Sequence, residues 1–562
     1  MTRVLLRPLC AAIALMTAAT PALPQSASAD YLRARHASYY SDYDVAALSY
    51  MRALRADPSN LAIMESAATA ALAAGDVESA ALAAAALRAA GSESQIGAMI
   101  LMIEAAATGD HAAIIEAIEE GRRVGPLIDG LATAWAAVGT GQTARAMDAF
   151  DAVAGARGLT DFGLYHKALA LAYLGDFEGA EAIFANDGQP LRLTRRGAEA
   201  RITILAQLGR QADGIFLIDN LFGSDLDPAL ARMRETLADG GTVPFTAVTD
   251  PAHGIAEAYF TVASALRGEA ADGYTLLYAR AAEYLSGQHV DAILLSATLL
   301  DGLGRYELAN ETFGRVPRGH GAYHSAELGR ASSLRKAGRP EVAIQVLEGL
   351  AAAYPRMPRV QIALADALRA QDDQEGAIAA YDRAVVLEEN LGGPTWRTLY
   401  ARGISRERAG DWNGAQSDFR AALALRPDDP RILNYLGYGM IEQGGDLGEA
   451  LAMIERAVAA DPNSGYIVDS LGWAQYRLGL FDDAVTNLER AVELMAYDPT
   501  INDHLGDAYW MTGREREARF QWSRAISLDP EDPDRVRRKL EVGLEVVLEE
   551  EGAAPSELAE TN

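Results

Sequence analysis

A chain of 562 residues that contains one cysteine, Cys10, can be read first through what it does without. Lysine is almost as scarce, at Lys167, Lys336 and Lys539 only. None of the three follows a glycine, so the phosphate-binding loop Gly-x4-Gly-Lys-Ser/Thr is absent and nucleotide hydrolysis by that route is excluded. Positive charge is in deficit throughout: 50 Lys and Arg stand against 78 Asp and Glu, for a net charge of -28. Such a chain repels phosphate backbones, which nucleic-acid binders meet with clustered Lys and Arg, and it repels anionic membrane surfaces in the same way. No Gly-x-Ser-x-Gly elbow occurs, which removes the commonest esterase signal. What is present is apolar bulk: half the residues are hydrophobic although only 7% are aromatic. The chain is therefore too apolar to be disordered and too long for one ordinary core.

The N-terminus reads as an address. Arg3 and Arg7 precede an apolar stretch from Leu9 to Met16, Pro21 and Pro24 follow, and Ala27-Ser28-Ala29 stands before Asp30. That order is the one a secretory signal peptide has, with a small-residue cleavage site. A membrane anchor needs roughly 20 consecutive apolar residues, and Pro8 and Pro21 bracket far fewer. Cys10 is preceded by Arg7-Pro8-Leu9, which is not a lipidation sequence. Cleavage after Ala29 removes two arginines and no acid, taking the net charge from -28 to -30. It also leaves no cysteine, which suits a bacterial periplasm or an outer-membrane-associated location.

A period of 34 organises the rest. Gly403, Gly437, Gly472 and Gly506 recur at that interval or one residue more, and so do Ala415, Ala450, Ala484 and Ala518, and Ala422, Ala457, Ala491 and Ala525. Within a unit, small residues recur where two antiparallel helices must approach, large apolar residues fill the space between, and proline ends the second helix. Leu505-Gly506-x2-Tyr509 followed by Ala518, Trp522, Ala525 and Asp529-Pro530 is the clearest example.

This pattern resembles the tetratricopeptide repeat, a helix-turn-helix unit that stacks into a right-handed superhelix. The resemblance is strongest from about 396 to 532 and persists upstream: Gly304 with Ala309 and Phe313, Gly175 with Ala180 and Phe184, Gly141 with Ala146 and Phe150, Gly75 with Ala80, and Ala46, Tyr50, Ala53 and Asp57-Pro58 keep the template. It implies an all-α solenoid of about 14 units. The segment 498–522 is also similar to the end of a group of exported proteobacterial tetratricopeptide proteins without a defined activity. The period fails between Gly223 and Gly254, where Asp239-Gly-Gly-Thr-Val-Pro-Phe-Thr-Ala-Val-Thr-Asp-Pro251 has turn residues and no helical spacing. Asp227-Pro228 can start a short helix through Leu237. The expected organisation is a signal peptide over 1–29, a degenerate array over 30–222, an irregular insert or linker over 223–254, a second array over 255–532, a capping helix over 533–551 and a flexible tail over 552–562. The capping helix is read from Val536, Leu540, Leu544, Val547 and Leu548, with Gly543 inside it as a weakness of about 1 kcal/mol. Leu391-Gly-Gly-Pro394 adds a loop that leaves the stacking intact.

With repeats over nearly all of the mature chain, no span of about 100 residues is left for a catalytic domain. His320 and His324 are four apart, but Gly321 lies between them and no third ligand is evident, so neither a metal nor another cofactor is expected. His504, beside Asp503, reads as an ordinary surface residue. The resemblance implies that the first helix of each unit lines a concave groove. Carried over residue by residue, that places Tyr400, Asn434, Tyr438, Asp469, Trp473, Tyr476, Asp503, Asp507 and Trp510 on the partner-binding face, with Arg397, Glu407, Arg431 and Tyr466 at neighbouring positions. Trp473 and Trp510 can alternatively pack between helices, the usual use of a repeat aromatic. Aromatics offer contact area at low entropy cost, and carboxylates receive Arg or Lys of a guest. Relatives that clamp a C-terminal carboxylate use Lys, Arg and Asn there, so the aspartates disfavour such a guest. The expected function is a non-enzymatic interaction scaffold or assembly factor of the bacterial cell envelope that holds a protein or peptide, with a basic segment fitting the aspartates. A scaffold for polysaccharide or outer-membrane export is a variant of it. An envelope hydrolase or transferase with a cryptic acidic site is the alternative from another class.

Overall fold

The computed structural model describes residues 27–186, 191, 193–223 and 226–552. The expected leader therefore lies outside the described residues but for Ala27, Ser28 and Ala29, and so does the tail beyond Gly552. Among the described residues there are 31 α-helices and no strand, only an isolated bridge between Arg267 and Ala270. The described part of the protein is thus all-α, and successive helices pack on one another as hairpins.

The recurring glycines mark where the two helices of a hairpin touch. A Cβ on Gly403, Gly437, Gly472 or Gly506 would come within 2.6, 2.8, 2.5 and 2.4 Å of the side chains of Phe419, Ile454, Leu488 and Trp522 respectively. Each of these large residues sits one helix later in the same unit and is fully buried. The period thus records a knob on the second helix pressed against bare backbone of the first. Helix starts are equally legible: Asp429-Pro430, Asp498-Pro499 and Asp532-Pro533 supply a capping carboxylate followed by proline at the first helical position.

The chain divides into two compact units, one ending at Ala337 and one starting at Gly338. The segment expected as an irregular insert, 223–254, falls within the first unit. In the first unit, hairpins from Ala27–Tyr39 to Gln211–Phe222 are followed by a short helix, Pro228–Ala238, and an extended strap to Asp250. The strap is no free linker. Val248 is buried in the main core, Phe245 meets Phe177 edge to face, and the carbonyls of Val243 and Ala247 accept from Gln207 and Arg196. The chain then turns back. Helix Pro251–Leu266 lies against Pro126–Gly139, Thr160–Tyr173 and Gln95–Ala107, and helix Asp272–Leu285 lies against Leu61–Ala74 and Gln95–Ala107. These partners are the first helices of the early hairpins, so the unit fills its own inner face.

The second unit has no such return. Its first helices, Pro358–Arg369, Trp396–Arg408, Pro430–Glu442, Gly465–Arg477 and Pro499–Met511, form an inner layer in which neighbours touch, each backed by its second helix. The array ends in two helices, Pro533–Val542 and Leu544–Glu550, where one capping helix is expected. Gly543 separates them with φ 89°, a left-handed conformation favouring glycine, and a Cβ there would meet Trp510 at 2.4 Å. Val536 and Leu544 are buried in one cluster with Trp522, with Trp510 packed against it, and Val547 is buried as well.

Candidate binding surface of the second unit

The nine residues assigned to the groove fall into three groups along the inner layer. Tyr400 is half-buried, 5.9 Å from Phe419 and 5.8 Å from Tyr435 by ring centroids, and burial pushes its phenol up to about 12. Nearby, Trp396 is approached by the guanidinium groups of Arg397, Arg426 and Arg431. Asn434 is buried, and its Oδ1 has no hydrogen-bond partner. Tyr438 is half-buried; burial first, then the charges of Glu442 and Asp469, holds its phenol well above the ordinary range.

The second group is a ladder of rings. Tyr476, Trp473 and His504 stack face to face, with centroid separations of 4.9 and 4.1 Å and interplanar angles of 8° and 13°. Trp473 Nε1 donates to Glu442 at 2.8 Å, and His504 Nδ1 sits 3.0 and 3.1 Å from the two oxygens of Asp469. His504 is buried, which corrects the expectation of a surface role. Burial alone lowers an imidazole pKa, but Asp469, helped by Asp503 and Asp507, outweighs it and the net shift is upward. The ring lies between the Asp469 carboxylate and the Trp473 indole face, both of which favour its cationic form.

The third group is already occupied from within. Lys539, on Pro533–Val542, is completely buried, and its Nζ lies 2.8 to 3.0 Å from both oxygens of Asp503 and of Asp507. Asp507 also accepts from Trp522 Nε1 at 2.9 Å. The carboxylates expected to face a basic guest are satisfied by the chain's own ammonium, so they are not free for one. Trp510 packs beside Trp522 at 5.3 Å, with Arg519 over its face and Gly543 against its edge, so it serves packing. Asp469, Trp473, Tyr476, Asp503 and Asp507 are thus brought into one network through His504 and Lys539, with Tyr438 at its border. Tyr400 and Tyr466, the latter 47% exposed, belong to the neighbouring stretch of the layer.

Lys539 is the residue that the sequence reading missed, and a signal for it exists. One of only three lysines stands three residues after Val536 on the helix face otherwise read as apolar. The Nδ1 atoms of His320 and His324 engage the Ala322 amide and the Gly321 carbonyl, and no group of three or more potential metal ligands occurs among the described residues. No helix there is long and apolar enough to cross a membrane.

Comparison with known proteins agrees with this geometry. The family model described as tetratricopeptide repeat matches residues 31–94, 328–390, 400–465 and 470–533. A TPR repeat-containing protein of Pseudomonas aeruginosa is 32% identical over 185 residues, 32% of this chain and 30% of that one. Human aspartyl/asparaginyl beta-hydroxylase is 27% identical over 209 residues, 35% of this chain and 27% of that one. The chain thus spans less than a third of the length of these curated relatives. Among solved structures, the APC/C hetero-tetramer Cut9-Hcn1 aligns over 92% of this chain and 96% of its own at 14% identity, with a TM-score of 0.38.

Proposed function

The chain carries tetratricopeptide repeats, and from this premise we propose that it is a non-enzymatic scaffold whose second unit holds an extended segment of a protein partner along its inner layer. The observation that carries the reading is the run Tyr400, Tyr438 and Tyr466, which keeps ring surface on neighbouring inner helices while the carboxylates of the terminal stretch are satisfied internally. With Asp503 and Asp507 bound to Lys539, attraction for a basic segment rests on the net charge of -28 and not on those two residues. The envelope setting is part of the same proposal and rests on the leader-like first 29 residues; N-terminal sequencing of protein recovered from cells is expected to begin at Asp30, and a soluble cytoplasmic form retaining Met1 overturns that part.

The groove is tested by selecting displayed peptides on the full-length chain and measuring their affinity for Tyr438→Ala and Tyr466→Ala. Loss of one aromatic anchor is expected to weaken a selected peptide by about tenfold or more with an unchanged melting profile. Equal affinity for both variants places the guest elsewhere and overturns the reading.

A further inference from the structure

The first unit contains a cavity of about 460 Å³ bounded by helices Thr160–Tyr173, Arg195–Gln207 and Pro251–Leu266. Its walls include the rings of Phe162, Tyr165 and Phe260, and its polar groups include Asp161, Thr261 and Glu257. Glu257 is the deepest of these, at 1% exposure, and is held from three elements: Arg196 Nε at 2.6 Å, His289 Nε2 at 3.1 Å and the Tyr165 hydroxyl at 2.9 Å. Arg196 also reaches Asp291 at 3.1 Å, so one guanidinium serves two carboxylates before Asp161 is counted. Arg195, the next cation, is in turn shared between Glu199 and Asp227. The charged side chains among the residues that line the cavity are thus both acidic, Asp161 and Glu257, while its walls carry aromatic rings.

We propose that this cavity is a binding site for an alkylammonium group, taken up among Phe162, Tyr165 and Phe260 under the field of Asp161 and the Glu257–Arg196–Asp291 cluster. Aromatic faces attract a cation through the ring quadrupole, most strongly where water is excluded, and the methyl groups of a quaternary ammonium complement the apolar walls. An anion meets the carboxylate of Asp161 there with no cation among the lining residues to receive it. A neutral molecule of the same shape gains the wall contacts and forgoes the electrostatic part. Such a group can come from a free small molecule or from the lysine side chain of a peptide, and both sources share the chemistry just described. The site lies wholly within the first unit and is independent of the groove proposed for the second.

Titration calorimetry on the full-length chain tests it with three probes: choline, its uncharged isostere 3,3-dimethylbutan-1-ol, and N-acetyl-lysine methylamide. Saturable binding of at least one ammonium probe is expected, with the isostere weaker than choline by about tenfold. Whichever ammonium binds more tightly names the source. Phe162→Leu keeps apolar volume but removes the ring, and Asp161→Asn removes an exposed charge without changing shape. Each is expected to weaken the ammonium probe severalfold while the thermal unfolding profile stays in place. The proposal is overturned if the isostere equals or exceeds choline, if neither ammonium probe saturates by about 10 mM, or if both variants bind as the parent does.

Discussion

The two units solve the same problem in opposite ways. Each stacks helical hairpins and so generates an inner layer, but the first lays Pro251–Leu266 and Asp272–Leu285 across that layer, whereas the second leaves most of it open and closes only its end. In both, a charge crosses to a partner on a different helix. Glu257 enters the first unit on the returning helix and meets Arg196, and Lys539 enters the second on the terminal helix and meets Asp503 and Asp507. A repeat array with its inner layer filled by its own chain gains core and loses groove. On this contrast rest the peptide-holding role proposed for the second unit and the small-ligand site proposed for the first.

The strongest way to break this comparison is to remove Lys539. Lys539→Ala leaves two carboxylates facing each other without their cation, and losing one partner of a buried ion pair destabilises by about 3–5 kcal/mol. Denaturant unfolding followed by hydrogen exchange is expected to show that loss in the second unit and none in the first. Asp503→Ala and Asp507→Ala are expected to destabilise as well, because each deprives the buried Lys539 of a carboxylate partner. A loss below 1 kcal/mol for Lys539→Ala means that the terminal helix is an accessory, not a closure.

pH separates the units with opposite signs. In the first, burial pushes His166 down to about 4, where its Nδ1 accepts from Trp135 Nε1 at 3.1 Å. Its folded value lies below its unfolded one of about 6.5, so the associated stability is complete above about pH 6.5 and is lost as pH falls toward 4, amounting to about 3 kcal/mol. Glu257 continues the trend at lower pH: burial opposes ionisation, but Arg196 and His289 win and hold its pKa well below the usual carboxylate range. In the second unit His504 is raised, so its contribution is complete below about pH 6.5 and lost as pH rises through its folded value. Hydrogen exchange across pH 5 to 8 is expected to protect Thr160–Tyr173 better at the upper end and Pro499–Met511 better at the lower. Parallel trends in both segments contradict the assignment of these imidazoles.

The fold was legible in the sequence because small residues at a fixed period record helix contacts within one hairpin. Gly403 to Gly506 and their buried partners are 16 or 17 residues apart, within reach of one repeat. The returning helices were not legible as such, because Gly254 on Trp135 and Gly75 beside Arg280 pair residues more than 100 positions apart, with no period to betray them. The same limit applied to the site. Aromatic positions on first helices were readable from register, but whether Asp507 faces a guest or Lys539 depends on where the last helix folds. A lone lysine such as Lys539 on an apolar helix face calls for a buried partner.

A smaller effect tests the close approaches that define the two inner layers. Gly254→Ala puts a Cβ 2.1 Å from the Trp135 ring, and Gly506→Ala puts one 2.4 Å from Trp522. Overpacking of this kind destabilises by about 1–3 kcal/mol. Each substitution is expected to lower the stability of its own unit in denaturant titrations with segment-resolved hydrogen exchange. If Gly254→Ala leaves the first unit unchanged, the returning helix rests loosely and the closed character of that unit fails.

The smallest effect decides whether the strap before that helix is part of the first unit or a spacer between arrays. Val248 is 1% exposed and packs in the same core as Trp135 and Ile255. Val248→Ala deletes two methyl groups, each accounting for about 0.8 kcal/mol of burial, so a loss of about 1–2 kcal/mol is expected. Partial collapse of the neighbours lowers that figure and a rigid void raises it. The loss belongs to the first unit, because the strap's carbonyls are also held there by Gln207 and Arg196. Limited proteolysis supplies the second reading. In the parent chain Val243–Val248 is expected to resist cleavage, and in Val248→Ala the same stretch is expected to be cut earlier than Pro499–Met511. Unchanged stability together with early cleavage in the parent restores the strap to a hinge between arrays, and the contrast between a filled and an open inner layer then needs another cause.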